Sequence, residues 1–458
     1  MKVWARLFGL DLRALALARM AAGIILVVDG CYRLRFAEEF YSQAGVAPRQ
    51  LFLETQASFQ FPALHVANDQ YLYQVVLLLA QIGLGLGVAV GYRTRLVTAA
   101  SWYLLVSLQT RNPLILNSGD SLFAVLLFWA VFLPWNRAWS VDALRSPLPT
   151  GDAASICSAA TVGWSMQMVC LYLFAAVHKT HPYWTEQGTA VYLALSMGHH
   201  ATGWASLLLP YEEPLAVLTR LVIVVELLLA VMVLAPWPKL RTAFLLLAIF
   251  MHLTFGFFLE IGIFRFTPLV GLLALVPLGR LQADNGTRFE MTALSTGPLL
   301  GICLLTWAVN LESLGKGRAV LVPPTLLAVA PAIISQQHWA VFAGPGLELS
   351  GWFSVEVACP DGNSYDALTG RPFSKERPGL ISAIYPDDRW RKFLMNLAGL
   401  PPGHALRQHF ADWSLRHWNE QHPDKTATSA KVWQVREETL VGQGKGKTNW
   451  NLIAETGS

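Results

Sequence analysis

The sequence predicts an all-α polytopic membrane helix bundle of about nine spans, followed by a small C-terminal α+β soluble domain. Hydrophobic residues make up 54% of the 458 residues and charged residues only 14%, which is typical of a membrane protein and not of a soluble enzyme. From about residue 340 the composition becomes that of a soluble domain. The predicted domains are therefore the bundle at 1–312, an interfacial connector at 313–340 and the soluble domain at 341–458.

Nine apolar segments are predicted to cross the bilayer as helices. They lie near residues 14–34, 71–92, 96–110, 119–135, 154–177, 214–236, 242–260, 265–279 and 292–311. We expect the first to be retained and not cleaved as a signal peptide, because Arg19 and Asp29 interrupt its apolar core and no small-residue cleavage site ends it.

Basic residues fall in every second connection between these spans. They are Lys2, Arg6 and Arg13 before the first span, then Arg93 and Arg95, Arg137 and Arg145, Lys239 and Arg241, and Arg280 and Arg288 in alternate loops. Since short basic loops remain in the cytoplasm, we expect a multi-pass cell-membrane protein with a cytoplasmic N-terminus and an extracytoplasmic C-terminal domain. The apolar spans make the lipid bilayer an expected partner. The net charge of +4 is small and spread along the chain, so nucleic acid is not an expected partner.

Two segments do not fit regular spans. Residues 187–211 are nearly uncharged but contain glycines, histidines and a proline, and are predicted to be interfacial or re-entrant. Residues 319–335 are apolar but carry three prolines, which favours a helix lying on the membrane surface. If this segment instead crosses the membrane, everything after it moves to the cytoplasm.

The C-terminal domain is predicted to contain a β-hairpin, two helices and a further strand. The strands are expected at 351–357, 364–368 and 431–440, the helices at 387–398 and 403–421, and a frayed tail from Gly442. Arg389, Arg391 and Lys392 surround Trp390 and are predicted to form a solvated basic face. Contact with anionic lipid or a substrate peptide is the alternative.

Lys179 is the most informative candidate residue. It stands at the end of the uncharged apolar segment 154–177, between His178 and His181, with Trp184 shortly after it. Partial burial would disfavour the ammonium form of this lysine, and a neutral amine is a usable base near neutral pH. The alternative is that Lys179 and Trp184 are an interfacial anchor pair.

Three ionisable residues inside the predicted spans are further candidates, since such residues are costly in a membrane. They are Asp29, Glu226 and His252. The alternative for Glu226 and His252 is a hydrogen-bonded packing role, and for Asp29 an ion pair with Arg33 one helical turn later.

Histidines near Lys179 suggest a zinc site as a separate interpretation. The candidate ligands would be His178, His181 and Glu186, with the His199-His200 pair further along the chain. No HExxH-like spacing is present, and Pro182 breaks the helix that such a motif needs. No metal is therefore expected.

Several dispersed motifs follow one order along residues 10–280. They are the run from Arg19 to Asp29, Tyr92-Arg93, Trp139-Ser140-Val141-Asp142, Ala-Ala-Val-His-Lys ending at Lys179 and followed by Trp184, the acidic residue Glu226, and His252 followed by Ile261-Gly262-Ile263-Phe264. Together they resemble the vitamin K-dependent gamma-carboxylase family, whose members share the membrane domain known as HTTM. Several motifs in one order are more specific than any single short pattern.

The resemblance implies a carboxylase/lyase-like enzyme. Such an enzyme oxidises a reduced naphthoquinone, the hydroquinone of vitamin K, with O2 to an epoxide, and uses this reaction to carboxylate glutamyl side chains of a peptide or protein with CO2. Lys179 corresponds to the base that deprotonates the hydroquinone. His178, Trp184, Glu226 and His252 become pocket candidates.

The chain departs from the animal carboxylases at a histidine that has been assigned a catalytic role there. Asn117 or Gly119 takes its place, and Asn117 and Asp120 could hydrogen-bond a quinone oxygen or, alternatively, cap a helix. Because this histidine is missing, we expect quinol oxygenation to be easier to detect than CO2 fixation. The alternative functions are a quinol oxygenase without peptide carboxylation and a non-catalytic membrane scaffold or transporter.

Overall fold

The computed structural model describes residues 2–55, 62–146, 154–278, 287–290, 293–315, 322–323, 337–442 and 444–456, and this part of the chain is mostly helical. The helices are α1 (Lys2–Phe8), α2 (Leu12–Arg35), α3 (Ala37–Tyr41), α4 (Arg49–Thr55), α5 (Leu64–Ala67), α6 (Tyr71–Val90), α7 (Thr94–Arg111), α8 (Ser118–Val131), α9 (Val141–Arg145), α10 (Ala159–Val177), α11 (Pro182–Thr185), α12 (Ala190–Ser196), α13 (Glu212–Met232), α14 (Pro238–Phe258), α15 (Thr267–Ala274), α16 (Ala293–Glu312), α17 (Asp388–Gly399) and α18 (Ala405–Gln421). The strands are β1 (Leu10–Asp11), β2 (Ser155–Ser158), β3 (Thr287–Glu290), β4 (Leu349–Ala358), β5 (Ser364–Asp366), β6 (Arg371–Pro372), β7 (Ser429–Leu440) and β8 (Gly444–Glu455).

Five helices are long and apolar enough to cross a membrane, namely α2, α6, α10, α13 and α14. The nine predicted spans fall on helices, but nine membrane crossings are not confirmed. Helices α8 and α15 have only 14 and 8 residues, fewer than the roughly 20 that the hydrocarbon layer requires. Helix α7 carries several buried polar residues, including Thr98, Ser101 and Gln109, which lower its hydropathy.

Helix α10 lies at the centre of the bundle. Over an 18-residue window 83% of its residues are buried, against 28–56% for the other four long apolar helices. It packs against α8, α13 and α16. Gly163 permits the contact with α8, because a Cβ atom there would lie 2.3 Å from the ring of Trp129. Lys179 lies two residues beyond the C-terminal end of this central helix.

Of the two segments predicted to be irregular, the structure describes the first and only two residues of the second. Residues 187–211 form the short helix α12 and the 3-10 turn Gly203–Leu207, with α12 mostly buried. The surface helix predicted for residues 319–335 lies outside the described residues, except for positions 322 and 323.

The C-terminal domain contains a five-stranded antiparallel sheet in the order β6-β5-β4-β7-β8. The predicted hairpin is confirmed, since β5 pairs with β4, and β7 is the strand predicted at 431–440. The prediction of a frayed tail from Gly442 was wrong. Residues Gly444–Glu455 form β8 and pair along β7, so backbone pairing orders a segment whose composition suggested disorder.

The C-terminal domain shares a hydrophobic core with α3, the short helix that follows the first span. Phe40 packs against Trp390 and Phe393 of α17, with ring centroids 4.9 and 6.2 Å apart. The prediction of a solvated basic face on α17 was wrong for its two arginines, because Arg389 and Arg391 are 3% and 4% exposed and face the bundle.

Four buried charged residues, which we call the ionic quartet, join α2, α8 and α17. They are Asp29, Arg33, Asp120 and Arg389. Arg33 lies 2.6 Å from Asp29 and 2.5 Å from Asp120, and Arg389 lies 2.6 Å from Asp29 and 3.2 Å from Asp120. The predicted ion pair between Asp29 and Arg33 is thus confirmed, but it is fully buried and extended by two further residues. Two carboxylates and two guanidinium groups balance each other, as buried charges require.

Candidate functional site

A cavity of about 140 Å³ lies beside the C-terminal end of α10, where α13 and α14 meet the segment 339–342. Its walls are mostly aliphatic and aromatic, and four of its polar side chains form two pairs, Lys179 with Glu226 and Tyr172 with His252. An apolar cavity with a few convergent polar groups is the usual form of a small-molecule site.

Lys179 and Glu226 form a buried ion pair. Helix α10 ends at Val177, and the backbone N–H of Lys179 donates to the carbonyl of Ala176 at 3.0 Å, which turns the chain tightly. The Nζ atom of Lys179 donates to the two carboxylate oxygens of Glu226 at 2.9 and 2.8 Å and to the carbonyl of Ala175 at 3.0 Å. Both side chains are almost fully buried, at 4% and 7% exposed.

Trp184 covers this ion pair. Its ring centroid lies 5.0 Å from Nζ of Lys179, within the range of a cation–π contact. Its Nε1–H donates to the carbonyl of Phe342 at 2.9 Å, which ties α11 to the segment that enters the C-terminal domain. Lys179 and Trp184 are therefore not an exposed anchor pair. The partial burial of Lys179 that the sequence suggested is full burial against a carboxylate.

Tyr172 and His252 form the second polar pair of the cavity. The hydroxyl of Tyr172 lies 3.1 Å from Nε2 of His252, and Nδ1 of His252 is buried without a partner among the described residues. The histidine ring also packs against Phe264, with centroids 5.8 Å apart. Tyr172 was not predicted, although it lies seven residues before Lys179, about two turns along the same helix face.

The other sequence candidates lie outside this cavity. His178 contacts the hydroxyl of Ser313 at 3.1 Å and the ring of His338 at 5.0 Å. Asn117 and Asp120 form a capping box at the start of α8, as the capping alternative predicts. Asp120 also belongs to the ionic quartet. Over the described ranges no group of three or more His, Cys, Asp or Glu side chains is placed to hold a metal ion.

The family model of the HTTM domain matches residues 9–277, which is more than half of the chain. This chain belongs to the HTTM domain family. The domain is found in vitamin K-dependent gamma-carboxylase family proteins. No curated protein and no solved structure matches the chain.

The HTTM domain supplies both polar pairs of the cavity, and the residues after it complete the wall. Trp339, Val341 and Phe342 line the cavity although they lie beyond residue 277. Their sequence signal is weak: Trp339 lies at the end of the predicted connector, and Val341 and Phe342 begin the predicted C-terminal domain.

The volume of the cavity resembles that of cavities of about 150 Å³ that hold one aromatic ring. The buried Nδ1 of His252 has no partner among the described residues, and such a group is stabilised when a ligand supplies the missing hydrogen bond.

Proposed function

We propose that this HTTM-domain protein is a vitamin K-dependent gamma-carboxylase-like membrane enzyme. It would oxidise a reduced naphthoquinone with O2 and use that reaction to carboxylate glutamyl side chains with CO2. The observation that carries the proposal is the buried contact of Lys179 with Glu226 inside an apolar cavity of the HTTM domain.

Bound hydroquinone would supply two weakly acidic hydroxyl groups and the electrons for oxidation. Lys179 can accept a proton only after its own Nζ has given one up. Glu226 lies 2.8 Å from Nζ, so it is placed to take that proton and leave a neutral amine. A low-dielectric wall supports this transfer, because it disfavours the two separated charges more than it disfavours the neutral pair.

The remaining residues of the cavity would bind the quinol ring and shield Lys179 from water. Tyr172 and His252 offer a hydroxyl and an imidazole to the oxygen atoms of the ring, and the aromatic walls pack against its faces. Trp184 covers Nζ of Lys179, and the 4% exposure of that lysine side chain is consistent with exclusion of water during proton transfer.

Quinol oxidation without peptide carboxylation is the second candidate. One observation favours it. Asn117 and Gly119, at the position of the family histidine, do not belong to the cavity lining among the described residues, and Asn117 caps α8. A missing acid or base typically lowers a rate about 100- to 10,000-fold.

The alternation of basic loops supports a cytoplasmic N-terminus. With nine crossings, the Lys179 end of α10 and the C-terminal domain would lie on the outer side of the membrane. A polyprenyl quinol dissolved in the bilayer would then approach the cavity between α13 and α14, whose outer faces are rich in exposed leucine, valine and phenylalanine.

To test the proposal, purified protein is incubated with a reduced naphthoquinone, O2, labelled CO2 and a glutamyl peptide. The amounts of quinone epoxide and of label incorporated into the peptide are measured in the same reaction. Lys179→Ala should lower epoxide formation by about 100-fold or more, because it removes the base. Lys239→Ala, at an exposed lysine, is the matched control and should leave the rate unchanged.

Undiminished epoxide formation in Lys179→Ala would refute the role of this lysine. Epoxide without label would favour the quinol oxygenase. Neither product, with several quinones tried, would favour a scaffold or transporter.

A further inference from the structure

One wall of the cavity is held together by a short backbone bridge. Leu259, Ile261 and Phe264 line the cavity from the segment that follows α14. This segment pairs with the irregular segment after α12 through an antiparallel bridge between Ala201 and Leu259. The N–H of Glu260 also donates to the carbonyl of His200 at 2.6 Å. These hydrogen bonds join the two segments into one structural unit, which we call the wall bridge (residues 199–202 and 258–262).

Arg391 of α17 forms hydrogen bonds with both segments of the wall bridge. Its two terminal nitrogens donate to the carbonyls of His199 and Glu260, each at 2.8 Å. The side chain is buried, and among the described residues no carboxylate lies within 4.0 Å of it. A guanidinium group is a rigid fork, so it fixes the spacing of two acceptors in a way that a single point charge does not.

Neighbouring residues of the C-terminal domain support the same contact. The hydroxyl of Ser382 donates to the carbonyl of Ala201 at 2.7 Å. Gly262, with a φ of +58°, lies so close to Asp388 that a Cβ atom would be 2.1 Å from a carboxylate oxygen of that residue. These contacts leave little room between α17 and the wall bridge.

The two carbonyls that accept hydrogen bonds from Arg391 lie in a different domain from Arg391 itself. Both carbonyls belong to the HTTM domain, whereas Arg391 lies outside the matched range 9–277. By comparison, Arg407 of α18 also donates to backbone carbonyls, but all of them lie in its own domain, at Leu397, Ala398 and Leu400. Arg407 stabilises a local turn, while Arg391 connects the C-terminal domain to the cavity.

We propose that Arg391 is a positioning residue that sets the width of the cavity by fixing the wall bridge. It does not touch Lys179, Glu226, Tyr172 or His252, so its loss should leave the two polar pairs in place. The consequence is that the C-terminal domain governs how tightly the cavity closes on its ligand, and through this how well a ring is bound.

The first test measures access to the wall and does not depend on any enzymatic activity. Ile261→Cys is introduced into a Cys31→Ser background, because Cys31 is the exposed cysteine among the five, and a small thiol-reactive reagent is added to the full-length protein. Arg391→Met should raise the labelling rate of Cys at position 261 by about tenfold or more, since two buried hydrogen bonds no longer oppose local opening. Arg407→Met is the control and should not change the rate.

Equal labelling rates in the parent, Arg391→Met and Arg407→Met would overturn the proposal. If Arg391→Met does not fold, Arg391→Lys and Ser382→Ala take its place, and both should give intermediate rates, because each loses part of the contact. Parental rates in these two variants would also overturn it.

The second test rests on the proposed function and separates binding from chemistry. Arg391→Met should raise the KM for the reduced quinone more than it lowers kcat, and Arg391→Lys should restore part of the affinity. A fall in kcat with an unchanged KM would overturn the positioning role. Failure of the proposed function would instead remove turnover from the unsubstituted protein, and would leave the labelling result standing.

Discussion

The ion pair of Lys179 and Glu226 should dominate the stability of the cavity region. The two side chains are 4% and 7% exposed and their charged atoms lie 2.8 Å apart. Removing one partner of such a pair leaves an uncompensated buried charge, so Lys179→Met and Glu226→Leu should each lower the free energy of unfolding by about 3–5 kcal/mol. The double variant replaces both charges with apolar groups of similar size. It should lie within about 1–2 kcal/mol of the parent, because well-packed apolar residues often replace a buried pair without loss.

The assay is reversible unfolding in mild detergent, followed by tryptophan fluorescence, for the parent, the two single variants and the double variant. A matched control is Glu260→Gln. Its partner Arg265 is 2.6 Å away, but these side chains are 40% and 27% exposed, so the loss should be at most about 1 kcal/mol. Additive losses in the double variant would refute the reasoning, since they would mean that the two side chains contribute independently.

Two further predictions concern α17 and its surroundings. Gly262→Ala should lower the free energy of unfolding by about 2 kcal/mol or more, because the φ of Gly262 is +58° and the new Cβ would collide with the carboxylate of Asp388. The control is Gly203→Ala, which has open space around it and should leave the free energy of unfolding nearly unchanged. Thermal unfolding of both variants measures the difference. Burial raises the pKa of Asp387 to about 6, above its unfolded value of about 4, so its contribution to stability is present at low pH and is lost as the pH rises from about 4 to 6. Asp387→Asn should therefore gain about 2–3 kcal/mol relative to the parent between pH 4 and 7, and a difference that is constant with pH would contradict this assignment.

Much of the cavity was predictable because charges stand out in apolar helices. Glu226 and His252 were identified as costly residues within spans, and Lys179 as the residue that ends one. The structure brings all three together with Trp184. Tyr172 was missed because a tyrosine in an apolar helix carries no such signal, and its partner becomes visible only when α10 and α14 are packed.

The environment of α17 was not predictable from sequence. Arg389 and Arg391 lie among polar residues, and local composition indicated solvent. Their burial depends on acceptors about 190 to 360 residues earlier in the chain, such as His199 and Asp29. The spacing of Asp29 and Arg33 predicted their ion pair, because i and i+4 positions are neighbours on a helix, but no local pattern indicated that Asp120 and Arg389 would complete the quartet.

The ionic quartet has a consequence for the order in which this protein can be assembled. Its first three members are made early in synthesis, and together they carry two carboxylates but only one guanidinium group. The compensating cation, Arg389, is made about 270 residues after Asp120. Until α17 docks, the bundle holds an excess negative charge in its interior, which favours water entry and loose packing between α2 and α8. In a chain that lacks α17, Asp29 and Asp120 have only Arg33 to balance them, so the junction of α2 with α8 is electrostatically complete only after the C-terminal domain has been made.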